Sequence, residues 1–167
     1  MAADVGEAAQ RAVAVGRGPA LFTGLRVGIA AATMFSAAAE APLLGVVSHD
    51  ALALQLLLNE PELADVPLLV TTDARRGEVY WALYRGLDRH GLPNRVEGPS
   101  VGSHDSVLEQ LADSAGQDGS IVERTGSATA SWVVKLAQLQ LLAGSASHDT
   151  SALYLRAPDA AEPKPSG

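Results

Sequence analysis

Between Gly24 and Glu40 the chain offers only Arg26, Thr33 and Ser36 as polar side chains, and the spacing predicts one continuous helix that is apolar nearly all round. A helix of that kind has to be covered on nearly all sides. Gly28, Ala32 and Ser36 recur at steps of four, a ridge of small side chains that lets another helix come close, while Leu25, Ile29 and Phe35 set bulk beside it. Two coverings meet the constraint: the rest of its own domain, or a second polypeptide. A chain of 167 residues has few elements with which to sandwich a helix, which makes the second covering a serious alternative. Thr23 is the predicted N-cap, with Phe22 closing over Val27 as a hydrophobic staple. Pro42 is the predicted stop, because it disfavours helical geometry at Ala41.

The remaining composition narrows the class. Hydrophobic residues make up 47% of the chain, enough for a real core and too many for a disordered tail. Twelve Lys and Arg against nineteen Asp and Glu leave a net charge of −7, which argues against neutralising phosphates over a broad basic face and hence against direct nucleic-acid binding. There is no cysteine, so no disulfide frame, thiolate nucleophile or Cys-type zinc site. The start Met1 to Asp4 lacks a cationic stretch followed by an apolar run, and Val27 to Ala39 is well short of the ~20 residues a membrane span needs. A cytoplasmic protein without membrane contact is the expectation.

Along the chain, Arg11 to Val15 alternates weakly and meets the cluster Gly16–Pro19, a strand running into a tight turn. After the long helix, Leu43 to Val47 reads as a buried strand, and Ser48 as the cap of a helix through Ala51, Leu52, Leu54, Leu56 and Leu58. The opening is therefore β-α-β-α. Leu68 to Thr72 and Val79 to Tyr84 form a predicted hairpin around Asp73–Glu78. In its second strand Val79, Trp81 and Leu83 share one face and Tyr80, Ala82 and Tyr84 the other, with both faces covered. One further strand is expected around Asn94 to Val96, then an amphipathic helix from Asp105 to Ala115. Gly116 to Ser131 carries little pattern. A helix over Trp132 to Leu142, a last strand at Leu153 to Leu155 and a disordered tail over Ala157 to Gly167 complete the reading.

No complete set of reacting groups is visible. The Gly-rich turn Gly16–Gly24 precedes a helix, yet no Gly-Lys-Ser/Thr follows and Pro19 removes a donor, so a structural turn outweighs a phosphate cradle. His49, His90, His104 and His148 are scattered and read as surface or capping residues. The pairs His49-Asp50 and His104-Asp105 sit where Ser48 and Ser103 begin helices, which explains both aspartates by charge at a helix start. No Gly-x-Ser-x-Gly occurs. No catalytic residue, metal ligand or cofactor is predicted. At Asp73–Glu78, Gly77 supplies positive φ and the charges keep the tip soluble; a polar contact patch is the other reading.

Four segments, in order, resemble the TsaB (YeaZ) family: Val15–Pro19 with Phe22–Ile29, Leu44–Ser48, Asp73–Ala82, and Leu153–Asp159. The resemblance runs from about Arg11 to Asp159. It implies an α/β, actin-like (ASKHA, ribonuclease H-like) two-lobed fold. It also implies a role in making N6-threonylcarbamoyladenosine in tRNAs that read ANN codons, as a non-catalytic subunit that binds and supports TsaD, the transferase. TsaE, an ATPase, joins the larger complex, and TsaC makes the threonylcarbamoyl-adenylate. Members also form homodimers. Carried over residue by residue, the resemblance places Leu25, Arg26, Gly28, Ile29, Ala32 and Phe35 at the partner interface, and assigns Gly18, Pro19, Phe22, Thr23, Gly24, Asp73, Arg75, Gly77 and Glu78 to the family motifs. The opening strands and first helix of the family are not found before Arg11, so the first lobe is expected to be incomplete and the chain N-terminally truncated. The family's glycine-rich strand end is not recognisable over Gly119 to Ser131 either, which predicts loss of part of the second lobe. Residues 1–48 are then a remnant of the first lobe, 49–156 the second lobe and 157–167 the tail. The competing readings are an M22-type glycopeptidase and an independent nucleotide-binding ASKHA protein.

Overall fold

The computed structural model describes residues 11–115 and 120–156; the expected tail and the residues before Arg11 lie outside them. Strand β1 (Val13–Gly16) leads to helix α1 (Phe22–Ala38), strand β2 (Leu43–Val46) and helix α2 (Ser48–Asn59). Strands β3 (Pro67–Asp73), β4 (Glu78–Leu87) and β5 (Pro93–Ser103) follow, then helix α3 (His104–Gln110), strand β6 (Val122–Thr125) and helix α4 (Ala130–Leu142). Among these residues β1 and β2 pair in parallel, Val13 opposite Leu43, and a second sheet has the order β5-β4-β3-β6. The predicted hairpin is the centre of that sheet, with Leu69 opposite Leu83 and Thr71 opposite Trp81.

Alternation along β3 and β4 sorts the core. Leu68, Val70, Ala82 and Tyr84 face α2 through Leu52, Ala53 and Leu57. Leu69, Trp81 and Leu83 face the other way, against Val107 and Leu111. A third cluster joins Leu44 and Val46 of β2 to Ala51 and Leu54 of α2 and to Val133, Leu136 and Ala137 of α4. The helix sandwiched on nearly all sides is thus α2, which buries His49, Ala51, Leu52, Ala53, Leu54 and Leu57. In α1 only Leu25 is buried.

Local details depart from expectation for identifiable reasons. Thr23 does not cap α1: the helix starts two residues earlier than expected, at Phe22 after an extended Leu21 with no side-chain cap, and Val27 is too exposed to staple anything. The helix ends at Ala38 and Glu40 turns the chain at φ 49, before Pro42 can act. Ser48 is the first residue of α2 and not its cap; its amide donates to the Gly18 carbonyl at 2.8 Å and its hydroxyl accepts from the Gly18 amide at 3.2 Å. Ser103 does cap α3, its hydroxyl accepting from the Ser106 amide. The strand expected around Asn94 runs the full length of β5, and β6 is a strand where little pattern stood.

Leu153 to Leu155 is not a strand. The chain from Ser145 to Arg156 is an irregular strap along the small sheet. The Gly45 amide donates to the Ser147 carbonyl at 2.9 Å, the Leu153 amide donates to the Arg17 carbonyl at 2.8 Å, and the Arg17 guanidinium pairs with the Asp149 carboxylate. Hydrogen bonds from the Ser151 hydroxyl and amide, with Arg17 beside them, hold Asp149 down to about 2. No described helix is long and apolar enough to cross a membrane.

Candidate functional site

Helix α1 lies on β1 by a narrow stripe. Leu25 is 6% exposed, and Ile29, Ala32 and Ser36 are half-buried along the same side, at steps of four, three and four. The opposite side carries Val27, Ala31, Met34, Phe35 and Ala38, all exposed and again at helical spacing. Val27 is 64%, Met34 75% and Phe35 66% exposed. Full burial of such a side chain is worth roughly 1.5 to 3 kcal/mol, so leaving three in water is costly unless something covers them.

The residues expected at an interface therefore divide. Leu25 is taken up by its own chain. Ile29 and Ala32 straddle the border, while Gly28, open on its outer side with nothing within 4 Å of an added Cβ, and Phe35 face outward. Arg26 reaches back, its guanidinium 5.0 Å from the centre of the Phe22 ring, which itself lies 5.0 Å from the Tyr154 ring. Val27, expected as a staple, and Met34 were not placed at the interface by the sequence reading, because a helix apolar all round does not announce which side it turns inward.

Two cavities flank the loop at Ala20 and Leu21. One of about 650 Å³ is walled by Phe22, the hairpin tip Ala74–Arg76, Tyr80 and Leu153–Arg156. The other, about 310 Å³, is lined by Ser48, His49, Leu52, Thr72, Asp73 and Gly126–Ala128. His49 is not a surface residue. It is 1% exposed, with Nε2 3.0 Å from the Thr72 hydroxyl and Nδ1 without a partner. Burial, aided by the nearby Arg95 charge, lowers its pKa to about 4, so the ring is neutral at physiological pH. Asp50 does more than favour a helix start: its Oδ1 accepts from the Tyr84 hydroxyl at 2.7 Å and from Arg95 Nη1 at 3.2 Å. Burial pushes Asp50 up and Tyr84 well up from their ordinary values.

The motif residues fold as structural devices. Arg17 donates its amide to the Val46 carbonyl and Gly18 to the Ser48 hydroxyl, and Pro19 has none, so these three positions of the glycine-rich turn offer no free amide to an anion. At the hairpin tip Asp73 Oδ1 accepts from the Arg75 amide at 2.8 Å, and Glu78 pairs with Arg156. Gly77 has φ 75 as expected, but Arg75 and Arg76 share the left-handed region at φ 66 and 59. Among the described residues no group of three or more His, Asp or Glu is placed to hold a metal ion.

A family model described as TsaD: tRNA N6-adenosine threonylcarbamoyltransferase matches residues 2–126. The chain belongs to the TsaD family. This TsaD-family chain is 35% identical over 106 residues to the tRNA threonylcarbamoyladenosine biosynthesis protein TsaB of Escherichia coli, covering 64% of this chain and 44% of that protein. It is 46% identical over 96 residues to an uncharacterized protein of Mycobacterium leprae, covering 58% of this chain and 23% of that one. It thus spans less than half the length of these curated relatives. The solved structure of YeaZ from Pseudomonas aeruginosa superimposes with a TM-score of 0.67 at 22% identity, over 86% of this chain and 74% of that chain. A second structure from the same organism, described as similar to peptidase YEAZ, gives 0.68 at 23% identity, over 87% and 73%. The TsaB (YeaZ) resemblance and the actin-like α/β fold expected from sequence both stand.

Proposed function

We propose that this TsaD-family chain acts in forming N6-threonylcarbamoyladenosine in tRNA as a non-catalytic subunit that docks on a TsaD-type transferase through the outer face of α1. One observation carries the reading: the stripe Val27, Ala31, Met34, Phe35 and Ala38 lies in water at the spacing that seats one helix against another. Gly28 beside it lets a partner backbone approach closely. The name of the Escherichia coli relative supports the pathway. The lobe division after Ser48 belongs to the same proposal, as do a homodimer formed through α1 when the transferase is absent, recruitment of TsaE to the assembled pair, and residence in the cytoplasm.

Mixing the purified chain with the TsaD-type subunit of the same organism and measuring mass by light scattering after gel filtration tests the reading. A stable heterodimer is the expected result; two separate peaks at micromolar concentrations of both proteins contradict it.

A further inference from the structure

Residues on the α3 face of the large sheet change character toward β6. Leu69, Trp81 and Leu83 pack under Val107 and Leu111, but the neighbouring positions are Thr71, Glu123 and Thr125, brought together because β6 runs parallel to β3 with Leu69 opposite Glu123 and Thr71 opposite Thr125. Thr71 is fully buried, and its hydroxyl lies 2.9 Å from Glu123 Oε1 and 2.7 Å from the Thr125 hydroxyl. Glu123 Oε2 in turn lies 2.8 Å from His104 Nε2, on the first residue of α3. A continuous polar relay thus runs from a buried strand to a partly exposed imidazole.

Its mechanical setting gives the relay meaning. Among the described residues β6 is an edge strand of four residues, bonded to β3 on one side. Gly126 to Ala128, which follow it directly, form one wall of the 310 Å³ cavity. A short edge strand has little of its own to hold it. We infer that the His104–Glu123 pair is a pH-sensitive clasp that fastens β6, and the cavity wall after it, to α3.

The charged groups acting on the ring are Glu123 from β6 and, 4.0 Å from Nδ1, Asp105 from its own helix; β4 and β5, the strands under α3, contribute no ion pair to it among the described residues. Both acids favour the charged ring, and the hydrogen bond to Glu123 is the larger influence, raising the His104 pKa. A raised histidine contributes fully below its unfolded value of 6.5 and loses that contribution as pH rises through the folded value. The clasp is closed in mild acid and slackens in mild base. Because the ring is 44% exposed, solvent screens the pair and the expected effect is small.

Amide hydrogen exchange on the full chain at about pH 6 and about pH 8.5, corrected for intrinsic rates, reads the clasp directly. Protection of Val122 to Thr125 should fall about threefold between the two, while that of Ala82 to Tyr84 in β4 holds steady. His104→Gln should fix protection at the high-pH level and His104→Lys, which stays charged, at the low-pH level. Equal protection of the wild-type strand at both pH values, a change shared equally by β4, or persistence of the pH dependence in His104→Gln overturns the inference.

Discussion

Asp50 shows how one side chain's task depends on what the fold brings to it. In sequence it precedes a run of alanine and leucine and reads as a favourable charge in the first turn of a helix; in space it is the common acceptor for Tyr84 and Arg95, residues 34 and 45 positions away. Nothing local announces such a pairing. Removing the hydroxyl with Tyr84→Phe should cost about 1 kcal/mol, and Arg95→Ala, which leaves a half-buried carboxylate without its cation, about 2 kcal/mol, both measured by urea unfolding. His49 adds a pH dependence. Its folded pKa, lowered to about 4, lies below the unfolded value of 6.5, so the unfolded chain binds the proton first and stability falls as pH drops from 6.5 toward 4. The loss is on the order of 3 kcal/mol at the acid end. Unfolding curves at both ends of that window should show it, and His49→Gln should flatten the slope; an unchanged slope in that variant would place the acid sensitivity elsewhere.

At the level of elements, the sequence pattern located nearly every helix and strand and failed where tertiary contacts decide. The hairpin, α2, α4 and the opening β-α-β-α series were legible because hydrophobic spacing matches their periods. Strand β6 was not, since Val122–Thr125 exists only because β3 offers an edge beside it. The strap was misread for the opposite reason: Leu153–Leu155 has strand composition but leans on Arg17 by a single backbone bond. Gly45 makes that strap possible, because a Cβ there would run into the backbone carbonyl of Asp149. Gly45→Ala should therefore displace the strap and cost roughly 2 kcal/mol, whereas Gly28→Ala, with open space around it, should be neutral or slightly stabilising. Thermal melts of the two variants side by side check this; equal midpoints would mean that the strap adds nothing to the fold.

For the molecule as a whole, composition singled out α1 as a helix in need of cover but could not assign its faces. The same greasy, small-residue character belongs to α2, which the fold buries, and to α1, which it leaves open along one side. Only the direction of the Leu25–Ile29–Ala32–Ser36 stripe onto β1 shows that Val27, Met34 and Phe35 are the free surface. On the function proposed above, this surface is kept apolar for a partner chain. Its most direct test is titration calorimetry of the TsaD-type subunit with the wild-type chain and with a Met34→Asp/Phe35→Asp variant whose melting midpoint is checked alongside. Saturable binding of the wild type, about thirtyfold weaker binding of the variant, and a midpoint only slightly lowered are expected on this account, since both side chains stand in water. Equal affinity for the two proteins would contradict it.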